Sequence, residues 1–281
     1  MSSTNRTRRA VALAGLMAVG TCVNGAAGQE ANLSVAATQP AKGSITWREQ
    51  VRFTRYELSD RDVDELVVNT RLTLGLTGAV SAWADVPVIA ERDRSDMAPN
   101  NNGLGDVSLG LKWRFWQHDT GAIETKRLAA FGGVSLPTGE EGLSSDGFDP
   151  FVGLVYTMVH GRHGVNASAR YRVNTDGTDA ALGPIGAGMG SADLLTLETS
   201  YLYRISPASY AAETSGSLYG VVESFVDYET NGDAEWRIAP GLLWEARRWA
   251  AEVSVILPAA SDIEERAETE FGLVAGIRVL F

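Results

Sequence analysis

The chain has 281 residues, with 35 Asp and Glu against 24 Lys and Arg, a formal charge of -11 and a single cysteine. So acidic a chain is a poor partner for nucleic-acid phosphates, and one cysteine rules out a disulfide framework. Mean hydropathy near zero, with no long apolar run past the amino-terminal stretch, excludes a helical membrane protein. It leaves open a barrel, whose alternating strands average to neutral in any window.

Residues 1–28 have the three-part layout of a secretory signal peptide: Arg6, Arg8 and Arg9 first, the apolar run Ala10 to Val19 next, and small residues from Asn24 to Gly28 before the expected cut. The apolar run is shorter than the roughly 20 residues a spanning helix needs. Cys22 would leave with this segment, and Thr21 before it does not suit a lipid-attachment signal. Loss of the three arginines takes the formal charge from -11 to -14. Residues 29–41 are a short amino-terminal segment with no expected element, and 42–281 read as one barrel.

From residue 42 the apolar residues recur with a period of two. Ile45, Trp47, Val51 and Phe53 alternate with Arg48, Gln50 and Arg52; Leu66, Val68, Leu72 and Leu74 alternate with Asn69, Arg71 and Thr73. Val80 to Ala90 follows, with Asp85 opposite its apolar face, and then "GLGDVSLGLKWRF", Gly103 to Phe115, where Val107, Leu109, Leu111, Trp113 and Phe115 oppose Ser108, Lys112 and Arg114. Leu128 to Leu136, Phe151 to Val159, Val165 to Asn174, Leu194 to Ile205, Leu218 to Tyr228, Glu235 to Glu245, Trp249 to Leu257 and Glu270 to Phe281 repeat the form, about twelve segments in all. Most are long enough for a tilted strand to cross a bilayer, which takes about 9 to 11 residues. Phe281, Val279 and Ile277 share one face of the last segment, a pattern similar to the carboxyl-terminal assembly signal of outer-membrane barrels.

Links between segments differ in length. Those at 77–79, 160–164 and 246–248 are short, and those at 91–103, 137–150, 175–192 and 258–269 are long, while 117–126 and 206–215 blur the rule. Short turns on one side and long loops on the other suit an outer-membrane barrel with both termini in the periplasm. The polar faces carry too many charges for a dry second layer, since an unpaired buried ion costs several kcal/mol. They must line water or pair with one another.

Chemistry of other kinds finds little support. Gly103-Leu104-Gly105 and the glycines at 186, 188 and 190 do not open a helix after a strand, so the dipole that cradles phosphate is missing; turns and barrel bends account for them. No Gly-x-Ser-x-Gly elbow occurs. His160 and His163 have a spacing that two metal ligands could use, yet with no cysteine or nearby acid they read, with His118, as solvated turn residues. Acidic loops that include Asp93, Asp96, Glu140, Glu141, Asp179 and Glu265 would be solvated, or would hold divalent cations bridging lipopolysaccharide.

"GLGDVSLGLKWRF", with "LTLGLTGAVSAWADVPV" (72–88), "VSLPTG" (134–139) and "PGLLW" (240–244), resembles the outer-membrane β-barrel family labelled "MetA-pathway of phenol degradation" over most of the chain after about residue 45. Asp106 and Pro137 match the family's Gly-Leu-Gly-Asp and Pro-Thr-Gly positions. The resemblance implies a barrel that moves hydrophobic or aromatic compounds across the outer membrane, and it carries over no catalytic residue.

The resulting expectation is an all-β, transmembrane, antiparallel up-and-down barrel of about twelve strands, of bacterial outer-membrane type. It would be a passive channel for small solutes and not an enzyme, with no cofactor and no metal. Arg52, Arg71, Lys112, Arg114, Arg170, Arg172, Glu198, Glu223 and Arg278 would line the lumen, with loops 91–103 and 175–192 narrowing its mouth. Partners would be outer-membrane lipid and lipopolysaccharide, the barrel-assembly machinery and a small solute. The alternatives are a closed envelope-maintenance barrel whose Arg and Glu pair across the lumen, a lipid-modifying outer-membrane enzyme, and a soluble lipocalin-like barrel.

Overall fold

The computed structural model describes residues 30–58, 62–95, 100–121, 123–177, 183–211, 213–264 and 266–281. The expected signal peptide and the loop acids Asp96, Asp179 and Glu265 lie outside them.

The described strands are β1 (Ile45–Glu57), β2 (Asp62–Gly75), β3 (Val80–Asp93), β4 (Asn101–Leu104), β5 (Ser108–Asp119), β6 (Thr125–Ser135), β7 (Asp149–His160), β8 (His163–Arg172), β9 (Leu194–Ser206), β10 (Gly216–Glu229), β11 (Ala234–Ala246), β12 (Trp249–Asp262) and β13 (Glu268–Leu280). Each pairs antiparallel with its neighbours, and β1 pairs with both β2 and β13, which closes a twelve-strand barrel. The short β4 adds no stave: it continues the β3 ladder above β5, across a break at residues 105–107. At the seam Ile45 and Phe281 exchange both backbone hydrogen bonds, so the last residue extends the ladder that closes the barrel.

Burial is inverted relative to a soluble protein. Val152 is 63% exposed and Leu111 and Trp113 each 56%, whereas Glu223 and Glu229 are 0% exposed. An apolar exterior around a polar interior is the pattern that lipid selects, and it removes the soluble lipocalin-like alternative. In β5 the register slips between Arg114 and Trp116, so Phe115 and Trp116 are both exposed while Arg114 points inward to the Gly78 carbonyl. This bulge places two aromatic rings side by side on the exterior near the end of the strand.

The loops differ from the expected pattern in two places. The links 58–61 and 230–233 are short although they lie at the long-loop end, because β1 pairs with β2, and β10 with β11, almost to the strand tips. β12 continues to Asp262, so much of the expected loop from 258 is strand.

Candidate functional site: the lumen

Residues 30–41 enter the barrel and run round its inner wall before joining β1. Ala31 packs with Leu202, Tyr219, Val221, Leu243 and Ala250; Leu33 packs on Ala239, Ile256 and Val274; Val35 and Ala37 pack on Ala129, Phe131 and Val155. The alternate residues make polar contacts. Asn32 Nδ2 donates to Ser254 Oγ at 2.6 Å and to the Val253 carbonyl at 3.1 Å, and Ser34 donates through both N–H and hydroxyl to Glu223.

The wall accommodates this segment locally. Between β11 and β12 the ladder breaks around Pro240, which has no N–H to give, and the Asn32 amide reaches the Leu242 and Val253 carbonyls there. A Cβ on Gly241 would stand 2.8 Å from Asn32 Nδ2 and 2.4 Å from the Val253 carbonyl oxygen, so this glycine leaves the space that Asn32 fills. The "PGLLW" stretch thus includes the seat of the segment.

The nine expected lumen residues divide by position. Glu223 accepts the Leu33 and Ser34 N–H groups, and Glu198 accepts the Val35 N–H together with the Ser168 hydroxyl. Both carboxylates are occupied by the inserted segment, where an open path had been expected. Arg278 pairs with Glu30 at 2.5 Å, and Lys112 Nζ donates to the Ala36 carbonyl at 2.9 Å. Arg71 pairs with Asp85 at 2.6 Å on the far side of the lumen. Arg170 reaches the Thr196 hydroxyl at 3.4 Å, and Arg172 holds Asn174 and the Gly186 carbonyl, each at 2.8 Å. Arg114 donates to the Gly78 carbonyl at 2.5 Å. Arg52 lies 3.4 Å from Glu65, toward the long-loop end.

Burial works to raise the Glu30 pKa, but Arg278 and Lys112 beside it and the Thr38 hydroxyl outweigh burial and pull the carboxyl down to about 2. The amino end of the described segment is therefore anchored as an anion.

A cavity of about 600 Å³ remains on the side that the segment leaves free. Its lining runs from Arg247, Arg248 and Glu124 at the short-turn end, past Lys112 and Arg71, to Ser108, Ser135 and Arg172 at the long-loop end. Two loops cover that upper end. One is held by Asp106: its Oδ1 accepts the Gly139 N–H at 2.9 Å and the Ser144 hydroxyl at 2.8 Å, and its Oδ2 accepts the Ser145 N–H at 2.8 Å and hydroxyl at 2.9 Å. Gly-Leu-Gly-Asp and Pro-Thr-Gly are therefore two halves of one clasp. The other comprises the described residues of loop 175–192: its Ile185 is buried, and Gly186 donates to Glu229, which Arg266 pairs with at 2.9 Å. The two loops meet over Arg172 and Asp149 at Gly188.

The cavity wall contains aromatic residues that the alternation alone did not single out. Trp83 and Phe151 stack with centroids 5.7 Å apart and planes 23° apart. Gly110 lies under Trp83, Gly133 under Phe151 and Gly153 under Phe131; a Cβ at any of them would come within 2.7 Å of the ring. These strand glycines make room for flat rings. Of the histidines, His160 faces Glu124 at 3.2 Å and His163 meets the Tyr201 hydroxyl at 2.7 Å. Among the described residues no three His, Cys, Asp or Glu gather as metal ligands.

The family model described as "Putative MetA-pathway of phenol degradation" matches residues 32–251. The chain belongs to this family. The match begins within the inserted segment and takes in the clasp. An outer-membrane channel from Pseudomonas putida F1 has a similar fold, with TM-score 0.62 at 13% identity over 90% of this chain and 100% of that one. The β domain of the Bordetella autotransporter BrkA aligns with TM-score 0.51 at 11% identity, over 85% and 100% of the two chains. No curated protein matches the sequence.

Proposed function

We propose that this family member is an outer-membrane channel for passive passage of small solutes, exported by its amino-terminal signal and assembled through a carboxyl-terminal strand ending in Ile277, Val279 and Phe281. The short-turn end faces the periplasm, and the apolar belt faces lipid, with lipopolysaccharide in the outer leaflet. The observation that carries this reading is the cavity beside the inserted segment, which extends along most of the barrel's length and is lined by charged side chains. Arg71, Lys112, Arg114, Arg170, Arg172 and Arg278 belong to its lining and give the path its field. Glu198 and Glu223 serve it indirectly by holding the segment that forms part of the cavity wall.

Planar-bilayer recording and liposome flux test this reading. Discrete conductance from folded protein is expected, and a larger conductance once residues 30–40 are deleted. Silence from both proteins, each shown to be folded by heat-modifiable migration, would favour the closed envelope-maintenance barrel.

A further inference from the structure

The cavity is cationic although the chain is acidic. Ten basic and five acidic residues line it, in a protein whose formal charge is -11. A narrow space with low-dielectric walls focuses the field of one sign and concentrates counter-ions of the other. Beside these charges lies a planar apolar surface. Trp83 and Phe151 are stacked over glycine backbone, Phe131 is buried next to them, and the Arg71 guanidinium stands 4.9 Å from the Trp83 ring centre.

The strand register brings the two features together. Phe151 is the cross-strand partner of Arg172, and Gly153, which lies under Phe131, is the partner of Arg170. Arg170 Nε is buried and has no hydrogen-bond partner among the described residues. A buried guanidinium N–H left unpaired costs stability unless a ligand or water takes it. Arg71 already has Asp85, and Arg172 has Asp149 near it, whereas Arg170 makes only the long hydrogen bond to the Thr196 hydroxyl.

We infer that Trp83, Phe131 and Phe151 with Arg170 and Arg172 form a binding site for a flat aromatic anion, an aromatic carboxylate being the simplest. The ring would lie along Trp83 and Phe151, and the carboxylate would accept from Arg170 and Arg172. Stacking supplies affinity for any aromatic ring, and a charge-assisted bond to a guanidinium selects the anion. This inference rests on the channel reading for its physiological meaning, but the site itself can be tested without conduction.

The test is fluorine NMR of 4-fluorobenzoate with the folded, full-length mature protein in detergent micelles, alongside benzoate flux into liposomes. Saturable binding is expected, displaced by benzoate and much less by cyclohexanecarboxylate or benzyl alcohol. Trp83→Leu and Arg170→Gln should each weaken it by about five- to tenfold, while Trp116→Leu, on the barrel exterior, leaves it unchanged. Non-saturable binding, equal displacement by the neutral or non-aromatic analogues, or unchanged affinity in both lumen variants would overturn the inference. Binding without conductance supports the site and counts against the channel; conductance without binding does the reverse.

Discussion

The two sides of the lumen carry similar residues and use them differently. On the side of β9 to β1, Glu198, Glu223 and Arg48 are engaged with the inserted segment: the glutamates accept its N–H groups, and Arg48 donates to the Ala31 carbonyl at 3.1 Å. On the side of β2 to β8, Arg71, Arg170 and Arg172 line open space, and Lys112 lines it too while donating to the segment's Ala36 carbonyl. A charged side chain pointing inward therefore does not identify a solute path by itself. What decides is whether the inserted segment covers it or leaves it facing the cavity.

Deleting residues 30–40 should erase this difference and give the largest effect. Glu198, Glu223 and Asn32's acceptors would then face water, and unit conductance in planar bilayers should rise several-fold. An unchanged conductance would mean that the segment does not limit the path. Glu223→Ala breaks the same contacts at one point. It removes the acceptor of three donors on Leu33 and Ser34, worth about 2 kcal/mol, and shifts the seated-to-released ratio of the segment by about thirtyfold. Bursts of higher conductance and proteolytic cleavage near residue 35 should appear. Gly241→Ala should act similarly from the wall, because the added Cβ would crowd Ser254 Oγ at 2.2 Å and the Val253 carbonyl at 2.4 Å, the acceptors that hold the Asn32 amide, as well as the amide itself at 2.8 Å.

Asp106→Ala perturbs the other side of the comparison. It deletes the clasp under the loop at 138–145, with a cost of about 2 to 3 kcal/mol spread over several hydrogen bonds. The temperature of the heat-modifiable transition should fall and the loop should become protease-sensitive, while the inserted segment stays seated. Release of the segment in this variant would show that the two halves are coupled.

Much of this architecture was legible in the sequence, because lipid outside and water inside separate apolar and polar residues with a period of two. That contrast located the strands, the exterior face of "GLGDVSLGLKWRF" and the inward side of Lys112 and Arg114. The inserted segment was harder to recognise. Ala31, Leu33, Val35 and Ala37 do alternate, but both faces of the segment are buried, so Asn32, Ser34 and Ala36 between them carry no charge to mark a second face. The aromatic wall was hidden for a different reason. Trp83 sits in an apolar run, and the glycines that make room for the rings lie on different strands, at positions 110, 133 and 153, so their common role exists only in the register. Pairings such as Ser34 with Glu223 span 189 residues, and no local pattern encodes them.

A pH-dependent effect on the same segment concerns the anchor at Glu30. Arg278, Lys112 and the Thr38 hydroxyl pull its carboxyl down to about 2, below the ordinary glutamate value of 4.5, so its ion pair with Arg278 holds the segment as an anion. A depressed pKa contributes seating free energy that is fully present above the unfolded value and is lost as pH falls through the folded one. Glu30→Gln should therefore release the segment more often than the wild type by a constant factor from pH 8 down to about 4.5. The difference should shrink below that and vanish near pH 2. Burst frequency of the two proteins in parallel bilayers, compared at each pH, reads this directly. A gap between them that opens only under acid conditions would reverse the sign and remove Glu30 as the anchor.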